Sequence, residues 1–133
     1  NESLERAFAT VAPFKKGRIF VVFGCGGQRD RTKRPLMGRT ACEQADWVFL
    51  TNDNPRCEDP QQIFNDILAG MQGKANYTVL PDRAQAICQA LQKARPDDIV
   101  IIAGKGHEEY QLVGTEKRHF SDQETIRQFL QEK

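Results

Sequence analysis

The chain has 133 residues, a length that suits a single domain with one continuous core. Hydrophobic residues make up 39% and charged residues 28% of the chain, which is typical of a folded globular protein and excludes a disordered one. Lysine and arginine (19) nearly balance aspartate and glutamate (18), so the net charge of +1 provides no general attraction for nucleic acid or an anionic membrane. An anionic ligand must therefore be bound by a local group of side chains.

No apolar segment approaches the roughly 20 residues that a membrane helix requires, and the first residues do not follow a signal-peptide pattern. We therefore expect no membrane association and a cytoplasmic location. The four cysteines contain no C-x-x-C pair and only two histidines are present, so a metal site is disfavoured. A charged domain of this size does not need disulfides, and we expect free thiols.

Apolar, β-branched runs alternate with segments of helical periodicity along the chain, the pattern of an α/β domain. The runs predicted as strands are residues 18–23, 47–51, 77–80 and 98–103. The predicted helices are residues 3–11, 35–45, 60–72 and 82–94, followed by one that begins near Ser121. The first run is continuously hydrophobic, which is typical of a central parallel strand covered on both faces.

Near the end of the chain, residues 110–113 and 118–120 flank a Gly-Thr-Glu-Lys turn and predict a β-hairpin. Ser121 and Glu124 then form the pattern of a capping box at the start of the last helix. The expected fold is a single α/β, Rossmann-like domain over residues 1–133. It has a mainly parallel sheet, helices on both faces and a C-terminal hairpin.

Three polar clusters follow predicted strands, at residues 24–34, 52–56 and 104–108. In a parallel sheet the carboxyl ends of the strands lie at one edge, where ligands bind. The clusters combine arginines and lysines that suit a carboxylate or phosphate with acidic residues that suit an ammonium, so they favour a zwitterionic ligand. Charged loops commonly only contact solvent, and for Arg31 and Arg34 we weigh that interpretation equally.

The nucleotide-binding motifs are incomplete in this sequence. The first cluster does not complete G-x-G-x-x-G, because Arg29 occupies the last glycine position, and Gly104-Lys105-Gly106 is not part of a Walker pattern. Neither a dinucleotide site nor a complete ATP site is therefore expected. His107 lies beside glycines, where a lone histidine is more often structural than catalytic. We predict no catalytic residue.

Taken in chain order, the three clusters resemble the C-terminal domain of the Mur ligases, in particular of those that add meso-diaminopimelate. The matching segments, which span nearly the whole chain, are Gly24-Cys25-Gly26-Gly27-Gln28-Arg29-Asp30 with Lys33-Arg34-Pro35-Leu36-Met37-Gly38, Asp53-Asn54-Pro55-Arg56, and Ala103-Gly104-Lys105-Gly106-His107-Glu108 with Tyr110-Gln111. The Asp-Asn-Pro-Arg tetrad is the most specific of them, because the family associates it with diaminopimelate rather than lysine. Gln28 differs from the acidic residue that many relatives have at this position.

The resemblance implies a domain of an ATP-dependent, amide-bond-forming ligase of peptidoglycan synthesis that joins meso-diaminopimelate to the UDP-MurNAc-dipeptide, UDP-MurNAc-L-Ala-D-Glu. It implies two groups of site residues: Arg29, Asp53, Asn54, Arg56, Gly104 and Glu108 for diaminopimelate, and Asp30 and Lys33 toward the nucleotide. ATP and Mg2+ would be held mainly by a central ATPase domain of the same protein. The isolated chain is therefore expected to be inactive.

The residues alone leave an alternative open, a non-catalytic α/β module that binds an amino acid or a nucleotide. A single sequence does not exclude it. The presence of all three clusters, in order and each after a strand, favours the ligase domain.

Overall fold

The computed structural model describes residues 2–27, 30–103, 110–113 and 116–131. Four strands within these residues form one sheet: β1 (Ile19–Phe23), β2 (Trp47–Leu50), β3 (Tyr77–Val79) and β4 (Ile99–Ile102). Their order is β3-β2-β1-β4, and each neighbouring pair is parallel. The predicted parallel sheet is confirmed, and each strand matches its predicted run to within one residue at either end.

The strand β1 lies at the centre of the sheet, as its composition predicts. Val21 and Val22 are 0% exposed, and Val21 is paired with Val48 of β2 on one side and Ile101 of β4 on the other. Successive side chains of a strand point to opposite faces. Val21 accordingly belongs to one hydrophobic cluster and Val22 to a second.

Helices cover both faces of the sheet, as expected. They are α1 (Glu2–Val11), α2 (Lys33–Gln44), α3 (Pro60–Leu68), α4 (Arg83–Lys93) and α5 (Asp122–Gln131), with a 3-10 turn at Ala12–Phe14. Side chains of α1, α2 and α3 share one hydrophobic cluster with the sheet, whereas those of α4 and α5 belong to the other cluster. Asp82 caps α4 by accepting a hydrogen bond from the Gln85 N–H (3.3 Å), as predicted.

The third predicted helix ends earlier than its hydrophobic pattern indicated, at Leu68 rather than near Gly73. Met71 is nevertheless buried, in the turn that follows the helix. A Cβ on Gly70 would overlap the carbonyl oxygen of Pro35 in α2. The chain leaves the helix where the two backbones approach too closely for any other residue, and the apolar spacing alone does not reveal this contact.

The predicted hairpin is present as β5 (Tyr110–Val113) and β6 (Glu116–His119), which pair antiparallel. Its second strand begins at Glu116, two residues before the predicted start. The N–H of Glu124 donates to the Ser121 hydroxyl (3.3 Å), which confirms Ser121 as the cap of α5.

Arg83, the first residue of α4, is 1% exposed and connects several elements. Its Nε and Nη2 donate to the two carboxylate oxygens of Asp122 in α5, at 2.7 and 2.8 Å. Its Nη1 and Nη2 also donate to the carbonyls of Asn52 (3.2 Å) and Ala103 (3.0 Å). The side chain thereby joins the residues that follow β2 and β4 to the last helix.

Removal of the Asp122 carboxylate should destabilise the fold because it leaves the Arg83 guanidinium buried and unpaired. We expect Asp122→Ala to lower the free energy of unfolding by about 3 kcal/mol, measured by urea denaturation. Glu43→Ala is the matched control, since Glu43 forms an exposed pair with Arg39 (3.2 Å) and should contribute about 0.5 kcal/mol or less. Equal losses in the two variants would contradict this account.

Candidate functional site

Two polar loops meet at the carboxyl edge of the sheet. We call residues 24–32, between β1 and α2, the first edge loop, and residues 51–59, between β2 and α3, the second edge loop. Of the predicted site residues, Asp30 and Lys33 lie in or directly after the first loop, and Asp53, Asn54 and Arg56 lie in the second. The predictions for Arg29, Gly104 and Glu108 fall outside the described residues.

The edge loops are joined through their backbones. The Thr51 N–H donates to the Phe23 carbonyl (2.9 Å), and the Gly27 N–H donates to the Asn54 carbonyl (2.7 Å). A Cβ on Gly27 would overlap the carbonyl oxygen of Pro55, so this close approach requires glycine. The first and second sequence clusters therefore form one structural unit.

Arg56 adopts a left-handed backbone conformation, with φ of 55°, which is uncommon for any residue other than glycine. Its half-buried side chain donates from Nη1 to the carbonyls of Gly27 (3.0 Å) and Asn54 (3.4 Å). Both hydrogen bonds use the same nitrogen, so Nε and Nη2 make none to the described residues. A planar anion such as a carboxylate can be bound by such a pair of donors.

Asp53 and Asn54 precede Arg56 in the second edge loop. Asn54 is buried, with 4% exposure, whereas Asp53 is half-buried. Burial, with a smaller contribution from the charge of Asp53, raises the pKa of the neighbouring Cys25 thiol to about 11, and the charge of Arg34 opposes this only in part. Cys25 is therefore protonated at neutral pH, the form in which a thiol is a poor nucleophile.

Arg34, in the first turn of α2, is 1% exposed, so the solvent-exposed interpretation, one of the two weighed equally for it, does not hold. It donates from Nη1 and Nη2 to the two carboxylate oxygens of Glu58, at 2.7 and 2.8 Å. It also donates to the Gly26 carbonyl (3.0 Å) and to Asp66 of α3 (2.8 Å). The hydrogen bonds with Glu58, above all, raise the pKa of Arg34 even further above neutrality. The side chain connects both edge loops to α2.

Asp66 extends this group of charges toward the outer part of the first edge loop. Arg31 donates to it from Nε (2.9 Å) and Nη2 (3.1 Å), and the Gln62 amide donates at 2.9 Å. The hydrogen bonds from Arg31, followed by those from Arg34 and Gln62, lower the pKa of Asp66 to about 2. Arg31 is thus paired within the protein, although its side chain is 59% exposed.

Asp30 and Lys33 differ in their contacts within the protein. The Asp30 carboxylate accepts hydrogen bonds from the hydroxyl (2.6 Å) and the N–H (3.0 Å) of Thr32, which lower the pKa of Asp30. Lys33 is exposed and is the first residue of α2. A cation beside the unpaired N–H groups of a helix start is a favourable setting for a phosphate. Lys33 can therefore face one side of an anion, whereas the Asp30 carboxylate is already bound to Thr32.

An apolar cavity of about 250 Å³ opens beside the edge loops, between α1 and the ends of β1 and β4. Its walls include Leu4, Phe23, Met37 and Ala103, and the described residues that line it carry no charged side chain. Among the described residues, no group of three or more histidine, cysteine, aspartate or glutamate side chains is arranged to hold a metal ion. In the same part of the chain, no helix is long and apolar enough to span a membrane.

Glu58 and Asp66, which support the edge loops through Arg34, are not among the residues predicted from the sequence. Two signals pointed to them. Glu58 follows Arg56 by two residues, and Arg34 stands in the first turn of a helix, where the helix dipole disfavours a cation unless acidic partners are near.

The stability of the domain should depend on the Asp66 carboxylate at acidic pH. Because the folded-state pKa of about 2 lies below the unfolded value of about 3.9, the stabilisation is fully present above the unfolded pKa. It is lost as the pH falls toward 2. Asp66→Asn should therefore be less stable at pH 7 and lose less stability between pH 5 and 2, measured by thermal unfolding. Parallel pH profiles of the two proteins would refute this.

Comparison with known proteins places these features in a family. Residues 1–106 match the family model described as Mur ligase, glutamate ligase domain. The chain is 54% identical over 132 residues to the UDP-N-acetylmuramoyl-L-alanyl-D-glutamate--2,6-diaminopimelate ligase of Trichormus variabilis and 52% identical over 129 residues to that of Synechocystis. These alignments cover 99% and 97% of this chain but only 27% and 26% of the relatives, so the chain spans about a quarter of their length.

A solved structure of a ligase with the same name superposes with a TM-score of 0.92 and 41% identity, covering 98% of this chain and 27% of that one. The match confirms the predicted α/β fold. Together with the family model and the identity to the relatives, it shows that the chain belongs to the Mur ligase family.

Proposed function

We propose that this chain is the C-terminal, amino-acid-binding domain, over residues 1–133, of a cytoplasmic ATP-dependent ligase of peptidoglycan synthesis. The reaction is the addition of meso-diaminopimelate to UDP-MurNAc-L-Ala-D-Glu. The names of the relatives support this reaction. The observation that carries the proposal is the Arg56 guanidinium, which is anchored at the edge by one nitrogen and has two further nitrogens, Nε and Nη2, without partners among the described residues.

The chemistry of the amino acid fits this arrangement. The distal end of diaminopimelate bears an ammonium and a carboxylate, whereas lysine bears only the ammonium. In this proposal Arg56 and Arg29 bind carboxylate groups, and Asp53, Asn54, Glu108 and the Gly104 carbonyl bind the ammonium groups and complete the hydrogen bonding. A two-point contact from arginine to the distal carboxylate then discriminates against lysine.

In this proposal the domain positions diaminopimelate and supplies no reacting group of its own. In the complete ligase ATP, bound with Mg2+ mainly by the central domain, supplies the phosphoryl group that activates the D-glutamyl carboxylate of the nucleotide substrate. The residues of this chain hold diaminopimelate so that its free amine faces that carboxylate, which lowers the entropic part of the barrier. Closure of the domain over the centre excludes water. Lys33 would contact a phosphate oxygen from the edge of the closed cleft.

Replacement of Arg56 tests the proposal in the full-length ligase. Loss of one partner of a desolvated, hydrogen-bonded charge pair typically costs about 2–5 kcal/mol. At about 1.4 kcal/mol per tenfold, Arg56→Ala should lower kcat/KM for diaminopimelate by at least about thirtyfold. Lysine should lose much less, so the ratio of the two kcat/KM values falls.

Arg56→Lys is the matched control for charge. It should recover only part of the activity, because an ammonium cannot make the planar two-point contact. Steady-state kinetics with both amino acids decides the matter. A wild-type ligase that does not use diaminopimelate, or an unchanged ratio in Arg56→Ala, would overturn the proposed function.

Lys33 provides a separate test of the nucleotide side. Lys33→Ala should slow ligation and raise the KM for ATP, because an exposed cation at a helix start is lost. The preference for diaminopimelate over lysine should stay unchanged, since Lys33 has no role in binding the amino acid. A variant altered only in amino-acid selectivity would show that this assignment is wrong.

A further inference from the structure

Arg34 is an unusual residue for its place in the fold. It is 1% exposed and lies in the first turn of α2, where the helix dipole disfavours a positive charge. Its Nε is buried and has no hydrogen-bond partner among the described residues. A buried ion pair is often no more stabilising than apolar side chains of the same volume. A contribution to the stability of the fold is therefore a poor explanation for a buried arginine at this position. Its contacts indicate instead that it fixes the geometry of the edge loops.

Those contacts lie directly beside Arg56 in both edge loops. In the first loop Arg34 binds the Gly26 carbonyl (3.0 Å), and the next residue, Gly27, supplies the carbonyl that receives Nη1 of Arg56 (3.0 Å). In the second loop Arg34 binds both carboxylate oxygens of Glu58, two residues after Arg56. Arg34 thus holds the segment that carries Arg56 at two points. One is Glu58, just after Arg56, and the other is Gly26, next to the carbonyl that anchors the Arg56 side chain.

The backbone of Arg56 needs such support. Its φ of 55° lies in a sparsely populated region, and conformations of this kind persist only where the surroundings over-determine them. The Glu58 N–H donates to the Pro55 carbonyl (3.1 Å), which closes a turn with Arg56 inside it. Because the Glu58 side chain is fixed by Arg34, the turn cannot relax by moving its last residue.

We propose that Arg34 and Glu58 are positioning residues that set the direction of the Arg56 guanidinium and thereby the preference for an amino acid with a distal carboxylate. Neither residue binds the amino acid itself. The inference rests on the proposed role of Arg56 as the carboxylate-binding residue. It adds that the selectivity of the site is determined by a buried ion pair behind the loops.

The test is Glu58→Gln in the full-length ligase, with kcat and KM measured for diaminopimelate and lysine. The amide keeps the size of the side chain but loses the charge and one of the two acceptor oxygens. Small displacements of a positioned group cause large losses, so we expect the KM for diaminopimelate to rise about tenfold. The preference over lysine should fall, and the KM for ATP should stay unchanged. Arg34→Lys should also raise the KM for diaminopimelate and lower the preference over lysine. If Arg34→Lys does not fold, Glu58→Gln alone still tests the inference.

Asp66→Asn is the matched control, because it removes a carboxylate from the same guanidinium but leaves the Glu58 contact in place. It should lower stability without changing the preference between the two amino acids. A merely structural role of the ion pair would instead make Glu58→Gln and Asp66→Asn behave alike. That outcome would overturn the inference.

A double variant separates this inference from the proposed function. If Glu58 acts through Arg56, then Glu58→Gln should not change the preference further once Arg56→Ala is present, so the two effects are non-additive. Additive effects, or an unchanged KM and preference in a folded Glu58→Gln ligase, would overturn the positioning role while the proposed function stands. An unchanged preference in Arg56→Ala alone would overturn both.

Discussion

Complete burial of the central strand is the constraint on which the rest of this structure depends. β1 is covered by helices on both faces and paired with a strand along each edge, so none of its side chains can be polar without losing hydrogen bonds to water. Polar chemistry is therefore confined to the loops beyond the strand ends. Because the neighbouring strands are parallel, their loops emerge at the same edge, and charges distant in sequence meet there.

The two edge loops could lie at one edge of the sheet without a defined relative position. Backbone contacts between them fix part of that position. Gly27 lies against Pro55 so closely that a side chain would overlap it. The Gly27 N–H and carbonyl are both used, by Asn54 and Arg56 respectively. A contact of this kind leaves little freedom for either loop, since a shift of one would break hydrogen bonds of both.

Two buried arginines complete the geometry, one associated with each helical layer. Arg34 joins the edge loops to α2 and α3, and Arg83 joins the residues after β2 and β4 to α5 through Asp122. Both stand in the first turn of a helix, where the dipole opposes them, and both are compensated by carboxylates from other elements. In the proposed ligase, such a rigid support lets a loop residue discriminate between ligands that differ by one carboxylate.

The fold class, the strands, most of each helix and the edge at which the polar loops meet could be predicted from the sequence. These follow from hydrophobic periodicity and strand direction, which are local properties of the chain. Asp53, Asn54 and Arg56 lie together because they belong to one tetrad, Asp53-Asn54-Pro55-Arg56. The burial of Arg34, its pairing with Glu58 and Asp66, and the end of the third helix at Leu68 could not be predicted in this way. Each of these depends on contacts between segments more than 20 residues apart, for which the periodicity of a single segment carries no signal.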